Sequence, residues 1–375
     1  MVSVELGVTI SVVEIVLGIV AGNVLHLPSP DWLTFLASFG SIVLTFLAVA
    51  EVDPGVLRDK LTQSLVIGGL SFLLPFAGGL LVTRLVLGWD WRAAEIGGTA
   101  LSTTSLAVVY AVLVETGLNQ TEIGKTIMAA TFVTDLGTAA ALSALFLTPN
   151  LWMVPFVLVS VALIVVMPRL EGWFFARYGN RVIEPELKGA FAALFVLMYL
   201  GERAHSHAVL PAFLLGLALA RTFERRRVEQ QRFRVVAFAL LTPFFFIRSG
   251  MNVSLSAVWA NLGLLALLLA VKVACKFVGV YPFARRWMRQ HAGYTTLLMS
   301  TGLTFGTISA TFGLNAGIID RAQFSVLVTV VVLTAVVPTA IAQRLFTAEV
   351  PQAARMHVGQ PQPATSAGND RRAGP

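Results

Sequence analysis

Long apolar runs, each about the length of a bilayer crossing, follow one another along almost the whole chain. Twelve are legible, at roughly 4–25, 31–50, 61–88, 93–115, 122–147, 151–168, 187–201, 207–223, 233–251, 258–283, 293–313 and 322–346. A spanning helix takes about 20 residues, so the pattern predicts an all-α integral membrane protein with about twelve spans. The breaks fall where turn formers or charges cluster, as in Pro28-Ser29-Pro30, Thr148-Pro149-Asn150 and Arg225-Arg226-Arg227. Only Glu202 to His207 divides the seventh segment from the eighth. The first run contains Glu5 and Glu14 and has no basic leader, so it is expected to be a retained span. Residues 1–348 therefore form the expected transmembrane domain. Residues 349–375, rich in Pro, Gly and polar side chains, are expected to be a disordered cytoplasmic tail. They hold no G-x-G-x-x-G unit, so no nucleotide-sensing domain is expected after the spans.

Composition sharpens this. Of 375 residues, 56% are hydrophobic and only 13% charged, whereas a soluble domain is about one quarter charged. That excludes an ordinary soluble enzyme, a disordered protein and a nucleic-acid binder, despite the net charge of +7. The single cysteine, Cys275, excludes a disulfide framework and a cysteine-based metal site, and no cofactor is expected. Lysine and arginine are distributed unevenly over the loops. Twenty of the 27 lie on the N-terminal side of the twelve-span arrangement and four (Arg84, Arg92, Arg203 and Arg321) on the other. One missed or invented span in mid-chain would scramble that asymmetry. The positive-inside rule then puts both termini in the cytoplasm, in a multi-pass protein of the cell (inner) membrane.

Segments 4 and 11 share a pattern. The fourth reads Gly97-Gly98-Thr99-Ala100-Leu101-Ser102-Thr103-Thr104-Ser105 and ends in Gly117-Leu118-Asn119. The eleventh reads Ser300-Thr301-Gly302-Leu303-Thr304-Phe305-Gly306-Thr307 and ends in Gly313-Leu314-Asn315. They stand seven segments apart, an odd number, so the two units enter the membrane in opposite senses. Inverted-topology repeats, roughly 1–147 and 207–346, are the expected architecture, as in secondary transporters. Glycine and hydroxyl clusters at mid-membrane serve close packing in many helices. Two in matched positions of inverted halves favour helices broken to line a binding site.

Three segments carry charge at depth. Asp135 stands alone near the middle of the fifth, where a carboxylate costs roughly 2.5–3.5 kcal/mol on insertion scales, so function is its default reading. Lys272 and Lys276 lie one turn apart in the tenth, where two amines on one face repel unless one snorkels or loses its proton. Arg248, in the ninth, either snorkels or sets the field of a cavity. Glu14 and Glu51 lie toward span ends and read as structural or interfacial; His205 and His207 read as loop residues.

These residues resemble the monovalent cation:proton antiporter-2 superfamily, which includes NapA-type sodium/proton antiporters and the membrane domain of Kef-type potassium efflux systems. Glu14-Ile-Val-Leu-Gly-Ile-Val-Ala-Gly is similar to its first-helix pattern, and Phe46-Leu-Ala-Val-Ala-Glu51 to its F-L-x-G-x-E element. Ser102-Thr-Thr-Ser105 sits where the family unwinds helix 4. Pro243-Phe-Phe-Phe with Gly250-Met251 is similar to its P-x-F-F…G-[LM] element, and Lys276-Phe-Val-Gly279 to the K-x-x-G of helix 10. The resemblance implies an NhaA/NapA-like fold in which broken helices 4 and 11 cross within a six-helix core, and a homodimer. It implies that Asp135 carries the ion and the proton. Thr134 stands where sodium-selective electrogenic members have a first aspartate, the usual partner of the helix-10 lysine. Lys276 is thus expected either to pair with Asp135 or to titrate, and a single carboxylate favours electroneutral exchange. Pro211 replaces a usual glycine, a minor departure.

The expected function is exchange of a monovalent cation, Na+ or K+, for H+ by alternating access. Asp135 would bind cation or proton in turn, with Thr134, Thr104, Ser105 and unwound carbonyls completing the cation's oxygen shell and Lys276, Lys272 and Arg248 as supporting charges. The rivals are a sodium-coupled organic-anion symporter of the same fold, which needs a larger cavity, and a cation channel. An intramembrane aspartyl protease needs two aspartates in separate spans, and only Asp135 lies deep in one. The protein is thus read as a transporter and not an enzyme.

Overall fold

A computed structural model describes residues 10–50, 60–116, 118–119, 121–145, 150–178, 185–204, 206 and 208–346. Among these, all regular structure is helical. The helices are α1 (Ile10–Asn23), α2 (Asp31–Ala50), α3 (Leu61–Leu81), α4 (Trp91–Ser102), α5 (Leu106–Glu115), α6 (Glu122–Leu145), α7 (Met153–Tyr178) and α8 (Pro185–Arg203). There follow α9 (Val209–Arg225), α10 (Arg227–Val236), α11 (Thr242–Asn252), α12 (Leu255–Ala260), α13 (Leu262–Trp287), α14 (Ala292–Met299), α15 (Thr304–Asn315) and α16 (Arg321–Phe346). The twelve apolar segments map onto these in order. Segments 4 and 11 are each two helices, α4 with α5 and α14 with α15, while α10 and α11 join through a π-helical turn at Ala237–Leu241 to make segment 9. Nine stretches among the described residues are long and apolar enough to cross a bilayer. Glu51, His205, His207 and the 349–375 tail lie outside the described residues.

Packing separates two groups of helices. In one, α1 packs on α11, α2 on α9 and α11, and α7 on α8 and α9. In the other, α3 holds α4, α6 and α13, and α16 holds α14 and α15. The first group is a scaffold and the second a core. The contacts are close because facing residues are small, which is how membrane helices gain van der Waals contact that water would not drive. At the α1–α11 seam, a Cβ on Gly250 would overlap the Ile15 carbonyl and lie 2.9 Å from Gly18 Cα.

The same logic corrects part of the expectation for segment 4. Gly97 and Gly98 are helical, and a Cβ on Gly98 would come within 2.7 Å of the Phe76 carbonyl of α3. These glycines pack; the unwinding starts only at Thr103, where the chain turns extended (φ −65°, ψ 150°). Glu14 also departs from the interfacial reading. It is buried in α1, and its Oε2 has no hydrogen-bond partner.

Candidate functional site

The two interrupted segments meet at their breaks. Thr103–Ser105 separates α4 from α5, and 300–303 separates α14 from α15. Backbone groups freed at such breaks must find partners inside the protein. Thr104 Oγ1 donates to the Met299 carbonyl at the end of α14 (3.0 Å). The hydroxyls of Ser105 and Thr304 lie 3.3 Å apart. Thr103 Oγ1 donates back to Ala100 O (3.0 Å). All three residues of the first break are fully buried.

Both lysines of α13 point into this crossover and neither snorkels; each is 0% exposed. Lys276 Nζ donates to Ser71 Oγ (2.8 Å), to the Ser102 carbonyl (2.8 Å) and to Thr104 Oγ1 (2.9 Å). It therefore places its charge at the carbonyl end of α4, where the helix dipole is negative. Lys272 Nζ makes no hydrogen bond, and it abuts Gly302 in the second break so closely that a Cβ there would overlap it. Each break thus has one amine.

Asp135, on α6, is 2% exposed, and its Oδ1 has no partner. Of the two alternatives for Lys276, the direct pair with Asp135 is not made: its amine bonds elsewhere and Asp135 Oδ1 bonds nothing. Among the described residues the ion pairs are Lys60–Glu122, Lys125–Glu122 and Arg92–Glu95, all away from Asp135. The three donors of Lys276 go to neutral oxygens instead. Thr134 Oγ1 donates to the Ala130 carbonyl (3.1 Å) and the Gly68 carbonyl (3.2 Å), one turn back and across to α3. The hydroxyls expected to ring a cation are thus engaged within the protein.

Arg248 is elsewhere. It lines a cavity of about 1050 Å³ between scaffold and core, among Asp31, Thr34, Glu202, Thr311 and Asn315. Its Nε donates to Thr34 Oγ1 (2.9 Å). Asp135, Lys272 and Lys276 do not line this cavity. At its edge the hydroxyls of Ser249 on α11 and Thr311 on α15 are 3.3 Å apart, joining scaffold to core. Ser71 alone among these residues had gone unmarked in the sequence; Thr103 and Gly302 belonged to the two clusters read there but had been given no role of their own. The only sequence signal for Ser71 was a small-residue row, Ser64, Gly68 and Ser71, at helical spacing on one face of α3.

Two inverted repeats, each with an interrupted helix, crossing at buried charges define a secondary transporter of the NhaA-like, crossed-helix type. The chain belongs to the family described as sodium/hydrogen exchanger, transmembrane, whose pattern matches residues 1–348. It is similar to the Na(+)/H(+)-K(+) antiporter GerN of Bacillus cereus, at 27% identity over 351 residues that cover 89% of each chain. It is also similar to the Na(+)/H(+) antiporter NhaS4 of Synechocystis, at 26% identity over 374 residues, 89% of this chain and 90% of that one. In structure it matches the sodium proton antiporter MjNhaP1 of Methanocaldococcus jannaschii with a TM-score of 0.67, covering 96% of this chain and 95% of that one at 14% identity.

Proposed function

We propose that the protein exchanges a monovalent cation, sodium or potassium, for a proton by alternating access, with Asp135 as the shared carrier. The observation that supports this best is Asp135 itself, a buried carboxylate with an unpartnered oxygen on α6, the helix that packs against α4, α14 and α15 of the interrupted segments. One carboxylate that takes cation or proton but not both couples the two fluxes, provided the empty anionic core does not cross. The chain is a transporter of ions and not an enzyme. Thr134, Thr104 and Ser105 serve as cation ligands once their internal hydrogen bonds rearrange, and Lys276 and Lys272 supply the balancing charge. Arg248 sets the field in the cavity outside the crossover. We assign the protein to the cell (inner) membrane as a homodimer with both termini cytoplasmic. Its repeats are residues 1–147 and 207–346, followed by the 349–375 tail.

The test is purified protein in proteoliposomes with an internal pH dye and an imposed proton gradient. Sodium, potassium and lithium are added in turn, with wild type beside Asp135→Asn. Cation-dependent dissipation that the variant loses is the expected result. Dissipation retained in Asp135→Asn overturns the carrier assignment. No response to any cation, in folded protein, overturns exchange and leaves the organic-anion symporter.

A further inference from the structure

Lys276 is held in an unusual way for a buried cation. Its three acceptors are all neutral: one backbone carbonyl and two hydroxyls, at 2.8, 2.8 and 2.9 Å. Buried amines are ordinarily matched by a carboxylate, yet Asp135, on α6 of the same core, keeps an unpartnered oxygen. Carbonyl and hydroxyl oxygens are the ligand types that replace water around alkali cations.

The polarity of this oxygen set is fixed by its surroundings. The Thr104 proton is committed to the Met299 carbonyl, so its oxygen faces Lys276 as an acceptor. The Ser102 carbonyl is one of those a helix leaves free at its C-terminal end. Ser71, Ser102, Thr104 and Lys276 are all 0% exposed, so no water competes from the surface. Lys272 stands one turn away with no acceptor, and its like charge favours departure of the neighbouring ammonium.

We propose that Ser71 Oγ, the Ser102 carbonyl and Thr104 Oγ1 form a cation site of ammonium size, filled here by the chain's own Lys276, which potassium or ammonium occupies when the lysine withdraws. Potassium and ammonium are nearly equal in radius and sodium and lithium are smaller, so oxygens spaced for an ammonium fit the larger ions better. The stem of Lys276 then swings clear, leaving Thr104, with the unpartnered Oδ1 of Asp135, to the transported ion. This rests on the exchanger reading above and adds to it Ser71 as a ligand, a lysine that competes with substrate for neutral oxygens, and a preference by size.

The experiment needs no transport. Purified Lys276→Met is melted in lithium, sodium, potassium, rubidium, ammonium or choline chloride at one ionic strength. The expected result is a lowered Tm that potassium, rubidium and ammonium restore by several degrees more than sodium, lithium or choline. Adding Ser71→Ala should abolish that restoration. Equal effects of all salts, or none, overturn the proposal. Should Lys276→Met not fold, Ser71→Ala with the lysine intact carries the test in proteoliposomes. Losing one of the three oxygens should bring the potassium-over-sodium ratio of kcat/KM down toward one, because the size match is made by all three together. A potassium-over-sodium ratio unchanged from wild type overturns the proposal; a purely structural Ser71 would move stability, or the rates for all cations alike. Wild type that exchanges and loses exchange in Asp135→Asn, with no size-selective restoration, sinks this inference alone. Absence of exchange in wild type sinks the reading of function whatever the melting shows.

Discussion

The hydroxyl of Thr104 donates to the carbonyl of Met299 at 3.0 Å, joining two breaks that lie 195 residues apart in the chain. That one bond ties the unwound stretch after α4 to the end of α14, while the same oxygen accepts from Lys276. The two half-sites of the crossover are therefore one hydrogen-bonded unit, with its charge supplied from α13.

Thr104→Val keeps the shape of the side chain and removes both bonds. It leaves the Met299 carbonyl and one N–H of Lys276 without a partner in a buried place. The expected loss is about 2–4 kcal/mol, since hydrogen bonds to charged groups are worth more than neutral ones. Thr104→Ser should retain most of the stability. Melting of both variants in detergent checks this, and equal Tm values for wild type and Thr104→Val would sink it.

Gly302 and Lys272 form a steric pair. A methyl at Gly302 would overlap Lys272 Nζ and stand 2.6 Å from Thr103 Oγ1. Gly302→Ala should therefore be destabilising in wild type and less so in Lys272→Ala, where the amine is gone but the Thr103 hydroxyl and its carbonyl, 2.9 Å away, still crowd the methyl. A double-mutant cycle should return a coupling of about 1–3 kcal/mol. Additive effects would show that the glycine is needed for another reason.

The seam between α1 and α11 offers a test of packing alone. Gly250→Val pushes a branched side chain into the Ile15 carbonyl and Gly18 Cα, with backbone on the receiving side and no room to yield. The expected outcome is a clear drop in folded protein, read as the monodisperse peak of a fluorescent fusion on size exclusion. Gly263→Ala, where a Cβ meets nothing within 4 Å, should express as wild type does.

Competition at one carboxylate has a pH signature whose sign follows from linkage. Protons occupy Asp135 increasingly as pH falls, so the apparent cation KM should rise on the acid side by up to about tenfold per pH unit, with the maximal rate unaffected by the competition itself. Initial rates across a cation series at several pH values check this. A KM independent of pH over the whole working range would argue for separate cation and proton sites.

Much of the architecture was legible in the chain. The apolar runs, their breaks and the uneven lysine and arginine residues gave twelve segments in the right order, because lipid forces every crossing to be long, apolar and helical. The matched glycine and hydroxyl clusters marked segments 4 and 11 as interrupted. Asp135, Lys272 and Lys276 stood out because charge at depth is expensive.

Tertiary structure decided who meets whom. Gly97 and Gly98 turned out to be packing residues, which depends on what α3 presents to them, while the break fell within the Ser102–Ser105 stretch that the resemblance had marked. The sequence left Lys276 either pairing with Asp135 or titrating, and in the fold its amine bonds Ser71, Ser102 and Thr104. Arg248 went to a different cavity. A one-dimensional pattern reports what each residue costs to bury, and that is set by its own chemistry. Which oxygen answers a buried ammonium depends on helices brought together from opposite ends of the chain, and only their packing settles that.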